Sequence, residues 1–412
     1  MSKQLPTLVI RPLDPIRCGG YLRYGVSVEG LPSADPKTLW CEIPAAYERK
    51  QPQRLDPFVV GTLFLAMRYA DKLHVHGSVA PSLLKNLGWF QTTWTQWFPN
   101  AYHRVDITAD DVSEPTLGER QGAVAAFSGG VDSCFTLYQH HHRRHERDNH
   151  PPQAALMVHG FDIPIEDRDV FDRAVVGSRR IVESLGLPLL TAHTNFRQIV
   201  PAWEQSHGAA LVMALMLFDE HFDVALLASS WTFNEQGVRP WGSNVMTDKL
   251  LGSQSFGVIH DGSRYNRWDK MGALVQWQAF RDNLRVCWEG EQKDRNCCRC
   301  EKCVRNILLL RALGCRNLKC FPLELSDDAL RRMNGLSKKD VETLEIAWHQ
   351  IRDAGVTESW VDTLAETIAR NRRQNRGIRR YGRLVYKGWQ HFRSHGIQRT
   401  IGPVWHRLSR VG

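Results

Sequence analysis

Beyond residue 122 the chain alternates short, almost wholly apolar runs with longer stretches of helical periodicity, and few folds accept that order. Ala123-Val-Ala-Ala-Phe127, Ala154-Ala-Leu-Met-Val158, Leu189-Leu-Thr191 and Val224-Ala-Leu-Leu-Ala228 each read as a strand. Between them, helices are predicted from Asp132, over about 169–185 and over about 208–221. A strand that is apolar at every position has no wet face. Both of its faces must be covered, as in parallel sheets with helices on either side. The expectation is a doubly wound α/β domain with a parallel sheet over 121–285. Ligands of such folds bind beyond the carboxyl ends of the strands, which directs attention to the residues that follow each strand.

The preceding segment, 1–120, mixes its signals and is expected to form an N-terminal α+β domain. Leu8-Val-Ile10, Tyr24-Gly-Val-Ser-Val28 and Leu73-His-Val-His76 read as strands. A buried helix is predicted over 58–70, introduced by Asp56-Pro57, since proline is favoured in a first helical turn. Trp89, Trp94 and Trp97 fall in a further helix and are expected to pack against the next domain. The polar stretch Ala109-Asp-Asp-Val-Ser-Glu-Pro115 suggests a boundary near residue 120. At the other end, 286–315 is a cysteine-rich segment. Helices are expected over 316–372, with starts near Asp327, Lys338 and Thr357, and 373–412 is a basic tail.

A content of 42% hydrophobic and 24% charged residues is that of an ordinary globular protein. No apolar stretch approaches the ~20 residues that a membrane-spanning helix needs. The first residues lack the basic-then-apolar layout of a secretory signal, and a cytoplasmic location is expected. The formal charge of +9 is unevenly placed. From Arg370 onward there are twelve Lys or Arg and no acidic residue, so the remainder is slightly acidic. The whole-chain charge therefore does not argue that the main domains bind nucleic acid. Within the tail, Ile378, Tyr381, Val385, Trp389 and Phe392 fall on one helical face, opposite Arg379, Arg383 and Lys387. Such a helix packs on its own protein, or docks on an acidic protein, a nucleic acid or an anionic membrane surface.

After the first apolar strand of the α/β segment comes Ser128-Gly-Gly-Val-Asp-Ser133, opening a helix. Two glycines let the backbone turn sharply and approach an anion closely. The N–H groups at a helix start favour negative charge, Ser128 and Ser133 add hydroxyl donors, and Asp132 can hold a magnesium ion. There is no Gly-Lys-Ser/Thr triplet, so the loop is not of the kinase and GTPase type. The motif resembles the signature of the PP-loop ATP pyrophosphatases, which split ATP between the α and β phosphates to adenylate an oxygen. The resemblance implies that Ser128, Gly129, Gly130, Val131, Asp132 and Ser133 grip the pyrophosphate of ATP and its Mg2+.

Of ten cysteines, five lie between Cys287 and Cys303. A cluster of this kind in a large chain indicates metal binding or redox chemistry, not a disulfide scaffold. Cys297-x-x-Cys300-x-x-Cys303, with Cys287 ten residues upstream, offers four thiolates that tight turns can gather into a tetrahedron. Four sulfur ligands close a zinc site, which makes it structural, and Cys298 is left over. A Cys-x-x-Cys pair also permits redox or sulfur-relay use.

The cysteine segment together with the loop is similar to the QueC family, the 7-cyano-7-deazaguanine synthases, over roughly 121–315. That family converts a deazaguanine carboxylate to an amide and then a nitrile with ATP and ammonia. The N-terminal 120 residues, the long C-terminal extension and Cys298 depart from its pattern. Resemblance to the long members found in antiphage systems (Qat and type IV CBASS) implies attachment of a deazaguanine to a protein.

Between the two motifs, Ser229-Ser-Trp-Thr232, Trp241-Gly-Ser-Asn244, His260-Asp261 and Arg267-Trp-Asp-Lys270 place polar groups where strand ends should face a substrate. Thr194-Asn195 and Arg197 are weaker candidates of the same kind. Lys270 or Arg267 can stabilise charge that grows on an α-phosphate, and the QueC resemblance supports Lys270. The run His140-His-His-Arg-Arg-His145 continues as His145-Glu-Arg-Asp-Asn-His150, one residue too long for the His-Glu-x-x-His zinc pattern, and is expected to end an exposed helix. The resulting expectation is a carbon–nitrogen ligase using ATP, Mg2+ and Zn2+. Asp132, Ser133, Lys270 and Arg267 would be catalytic, and a deazaguanine-like carboxylate would pass to ammonia or a protein terminus. A tRNA thiolase of the PP-loop class and an inactive nucleotide-binding scaffold are the competing expectations.

Overall fold

Ten strands join in one sheet, and the chain's polarity pattern explains where each one sits. The computed structural model describes residues 5–32, 37–116, 119–120, 122–143, 149–237, 240–316 and 318–376. The strands are β1 (Thr7–Cys18), β2 (Tyr21–Glu29), β3 (Lys37–Pro44), β4 (Lys72–Val79), β5 (Asp106–Val112), β6 (Ala123–Ala126), β7 (Pro152–His159), β8 (Leu189–Thr194), β9 (Val224–Ala228) and β10 (Gly257–Asp261). Their order is β10-β9-β6-β7-β8-β3-β2-β1-β4-β5. Pairing is parallel throughout β10-β9-β6-β7-β8 and β1-β4-β5, and antiparallel at β8-β3-β2-β1. A large, mostly parallel sheet with helices fits a Rossmann-like α/β fold, as the apolar runs predict.

In the β6–β10 half the chain moves outward from β6 to β7 and β8, then returns past β6 to β9 and β10. Right-handed crossovers put the helices Val131–His142 and Arg168–Glu183 on one face and Trp203–Met216 on the other. The order reverses between β6 and β9, and in folds of this type the ligand crevice lies at that reversal, at the carboxyl ends of the strands. Every residue of β6 and β8 is buried; β6 accordingly reads as an unbroken apolar run, whereas β8 also buries Thr191, His193 and Thr194.

The strands of 1–120 continue this sheet. Cys41 and Glu42 of β3 pair with Thr194 and His193 of β8, a short register that side chains extend. The Asn195 amide imitates a peptide group: it donates to the Thr38 carbonyl (2.7 Å) and accepts from the Trp40 N–H (3.0 Å). The Thr194 hydroxyl donates to the Trp40 carbonyl (2.6 Å). Away from the sheet, the buried Arg49 and Asp219 pair at 2.8 Å. The helix Asp56–Tyr69 packs on Trp203–Met216, and a Cβ at Gly61 would stand 2.5 Å from the Met213 sulfur. The break expected near residue 120 is thus a change of strand pattern within one sheet. The polar stretch thought to mark it contains the end of β5, which is polar because it is an edge strand with little covering. Trp94 is fully buried among Phe64, Phe90 and Tyr102 of its own segment, whereas Trp89 is 63% exposed.

The chain divides into two compact units, Met1–Cys297 with Cys315–Pro322, and Cys298–Gly314 with Leu323–Gly412. In the second, helices run over Glu301–Ala312, Asp327–Arg331, Lys338–Asp353 and 359–376. Ser326 and Ser337 cap the middle two, close to the starts expected from the sequence. Leu308, Leu330, Leu344, Ile351 and Leu364 are buried there. Among the described residues, no helix is long and apolar enough to cross a membrane. The apolar and basic faces expected of the tail, Ile378 to Phe392, lie outside the described residues, as does His145.

Candidate functional site

The Ser128–Ser133 turn lies at the carboxyl end of β6, where the strand order reverses. Gly129 has φ +75°, and a Cβ there would meet the Ser178 hydroxyl at 3.0 Å, so this position requires glycine. Gly130 stands at the N-cap of the helix Val131–His142 with no side-chain cap, and the N–H groups of a helix start favour an anion. The hydroxyls organise the turn. Ser133 Oγ donates to the Gly130 carbonyl (3.1 Å) and accepts from the Ser128 N–H (3.2 Å), and the two serine oxygens are 3.3 Å apart.

Asp132 projects from the first turn of that helix, 19% exposed, and meets two cations. The Arg267 guanidinium donates to its Oδ2 at 2.8 Å and the Lys270 ammonium to its Oδ1 at 3.1 Å. Both cations come from the helix Arg267–Leu274, one turn apart. Lys270 is only 2% exposed, and its ammonium also donates to the Ser229 carbonyl at 2.5 Å. Ser229 directly follows β9, so this one side chain bridges the ends of β6 and β9, the two strands that flank the crevice. The structure thereby brings Ser128, Asp132, Ser133, Arg267 and Lys270 together.

A polar floor supports them. Asp261, the last residue of β10, accepts from the Thr136 hydroxyl (2.6 Å) and pairs with His140 Nε2 (3.3 Å). Burial alone would raise the Asp261 carboxyl, but His140, Thr136 and Lys270 outweigh it and hold the group below its ordinary range. Burial works against the charged form of His140 as well, and the bond to Asp261 overcomes that and raises its pKa. His140 is therefore buried and paired, whereas the run does end the helix as expected, with His142 and Arg143 exposed. On the other flank, Arg285 donates from its guanidinium to the Ser128 carbonyl (3.1 Å) and from its N–H to the Gly129 carbonyl (3.0 Å). Its second donor arm reaches the Lys293 carbonyl at 3.0 Å. Sequence reading does not find Arg285, because its partners are main-chain atoms up to 157 positions away.

Several expected site groups turn out to be buried in networks of their own. Ser243 donates to Asp248 (2.6 Å), His260 Nδ1 sits 2.7 Å from the same carboxylate, and the Asn244 N–H donates to its other oxygen (2.9 Å). Thr232 caps a short helix with Glu235. The buried Gln236 amide, absent from the sequence reading, donates to the hydroxyls of Ser229 (2.8 Å) and Ser263 (2.9 Å). Thr194 and Asn195 stitch β3 to β8, and Arg197 donates to the Phe161 carbonyl (2.6 Å) and lies over Trp203. At the ends of β7 and β8, His159 donates through Nε2 to the Pro164 carbonyl (2.8 Å), and its Nδ1 lies 3.2 Å from His193 Nδ1. Burial pushes His193 down to about 3, which makes the pair a neutral core element. An open depression lined by Tyr47, Arg120, Gln153 and His221 lies at the amino ends of the strands, away from this crevice.

The four cysteines singled out in the sequence also come together. The sulfurs of Cys287, Cys297, Cys300 and Cys303 lie within 4.8 Å of one another, Cys287 and Cys303 buried and the other two half-buried. Sulfurs on a tetrahedral zinc are about 3.8 Å apart, so the group fits such an ion. The Gly290 N–H points to Cys287 Sγ and the Cys303 N–H to Cys300 Sγ, both at 3.4 Å, the kind of bond that favours a thiolate. Asn296 braces the approach: its oxygen accepts from the N–H groups of Val286 (2.8 Å) and Cys287 (3.2 Å), and its NH2 donates to Leu284 and Cys320 carbonyls. Such a group could hold a metal such as zinc. No family model, curated protein or solved structure matches the chain.

Proposed function

We propose that the protein is an ATP-dependent ligase that adenylates a carboxylate and passes the acyl group to an amine. The observation that carries this reading is the buried Lys270, bound at once to Asp132 beside the glycine turn and to the Ser229 carbonyl across the crevice. The turn's N–H groups, with Ser128 and Ser133, suit the leaving pyrophosphate. Arg267 and Lys270 can exchange Asp132 for the α-phosphate oxygens, where negative charge builds as the carboxylate oxygen attacks phosphorus and pyrophosphate departs. Asp132, relieved of its cations, is the carboxylate placed to hold Mg2+, which when bound neutralises phosphate charge. The amine nitrogen then attacks the acyl carbon, AMP leaves with the bonding electrons, and the amine proton passes to solvent. Arg285 fixes the turn through main-chain carbonyls, so it is a positioning residue.

The substrate class rests on the resemblance to the QueC family: a deazaguanine-like carboxylate, with ammonia or a protein terminus as acceptor, in an antiphage setting for the long members. The test is AMP and pyrophosphate release from Mg-ATP, with and without 7-carboxy-7-deazaguanine. Wild-type protein should form AMP only with the carboxylate, and Asp132→Ala should not. Lys270→Met should lower the rate by about 10²–10³-fold, the usual loss when one donor to a developing oxyanion is removed. ADP in place of AMP, or AMP formation that Asp132→Ala leaves intact, would overturn the reading.

A further inference from the structure

Away from the crevice, β4 and β5 carry a cluster that the proposed ligase chemistry does not use. Along β4, Leu73 and Val75 are fully buried, so His74 and His76 point to the opposite, open face of the sheet. On edge strand β5 the corresponding residues are Thr108, paired with His74, and Asp110. His74 Nε2 lies 3.3 Å from Asp110 Oδ1, and His76 Nδ1 lies 3.1 Å from Oδ2. One nitrogen from each imidazole and a carboxylate oxygen all fall within 4.8 Å of one another.

We infer that His74, His76 and Asp110 form a second metal site, separate from the four cysteines, for a divalent first-row ion of zinc type. The spacing supports it. Ligands 2.0–2.1 Å from a tetrahedral zinc stand about 3.3 Å apart, close to the 3.3 Å from His74 to one Asp110 oxygen and the 3.1 Å from His76 to the other. So does the outer partner of His74: its Nδ1 is 3.0 Å from the Thr108 hydroxyl. When Nδ1–H donates to that hydroxyl, Nε2 turns its lone pair toward the Asp110 oxygen. Two acceptors then face each other, and a cation between them satisfies both. The two imidazoles meet edge-on with ring centres 4.6 Å apart, so both nitrogens converge without stacking. Each histidine is about a third exposed, at 32% and 31% of its side chain, which leaves a fourth position open to water or an outside ligand. Three ligands from two neighbouring strands would also clamp the edge of the sheet.

The test uses the full chain with the four-cysteine group already filled with zinc. Titration calorimetry with ZnCl2 should show one further equivalent. Titration with Co2+ should give visible d–d bands without a thiolate charge-transfer band, since no sulfur is a ligand. His76→Gln and Asp110→Asn, both on an open face, should lose the further equivalent while keeping the native circular dichroism. Thr108→Val should keep it with about 10–100-fold lower affinity, the usual effect of removing an outer hydrogen-bond partner. Absence of a further equivalent in the wild type, or its persistence in both ligand variants, would overturn the inference and leave a hydrogen-bonded His–Asp cluster.

Discussion

The two halves of the sheet share one hydrogen-bonded ladder and differ in how they meet water. β6 and β8 are buried at every position, and β9 is buried or half-buried throughout. β1, β4 and β5 instead alternate, and β5 is exposed or half-buried along its whole length. Two-sided cover in the first half leaves only the strand ends free for polar groups, so Asp132, Lys270 and Ser229 gather at a rim. One-sided cover in the second half leaves polar groups along a face, where His74, His76 and Asp110 stand in register. A parallel half thus concentrates its chemistry at an edge, and an open half spreads it across a surface.

The strongest way to break this comparison is to cut the link between the halves. Asp219→Ala leaves Arg49 as an uncompensated buried charge and should cost about 3–5 kcal/mol in urea unfolding, with a lower midpoint. A cost near zero would mean that the junction of the halves does not depend on this ion pair. Asn195→Ala probes the seam itself by leaving the Trp40 N–H and the Thr38 carbonyl without their partner. The expected cost is about 1–3 kcal/mol by the same measurement. The smallest effect concerns the floor beneath the rim. His140, its pKa raised above the ordinary 6.5, contributes stability below that pH and loses it as the pH rises through its folded value. Asp261, held below the ordinary 3.8, contributes above that pH and loses its share as the pH falls through its folded value. Their joint contribution is therefore complete between those two pH values. The melting-temperature difference between wild type and His140→Gln should be larger at about pH 5.5 than at about pH 9. An equal difference at both would mean that the pair is not ionic.

Legibility followed the same division. β6, β9, the Ala154–Val158 run of β7 and the start of β8 could be read because burial on both faces selects apolar residues there, and the glycine turn could be read because its conformation is set locally. β3 and β5 escaped notice. β3 has mixed residues whose partners lie across the chain in β2 and β8, and β5 is polar because it is an edge. Ser243, Asn244 and His260 have the composition of a site, yet they surround Asp248 in the interior. Arg285 and the Asp261–His140 pair carried no signal, since contacts over a hundred positions apart leave no periodic trace.

What the sequence alone determined is what depends on neighbours along the chain: the α/β class, the helix start from Asp132, the cysteine spacing and the helix starts near Asp327 and Lys338. Tertiary structure decided which distant groups share a space. Lys270 became the partner of Asp132, β3 was laid against β8, and His74, His76 and Asp110 were set on one open face. The physical reason is that strand and helix patterns record which side of an element is buried, whereas the identity of the group on the far side is fixed only when strands from distant parts of the chain come into register.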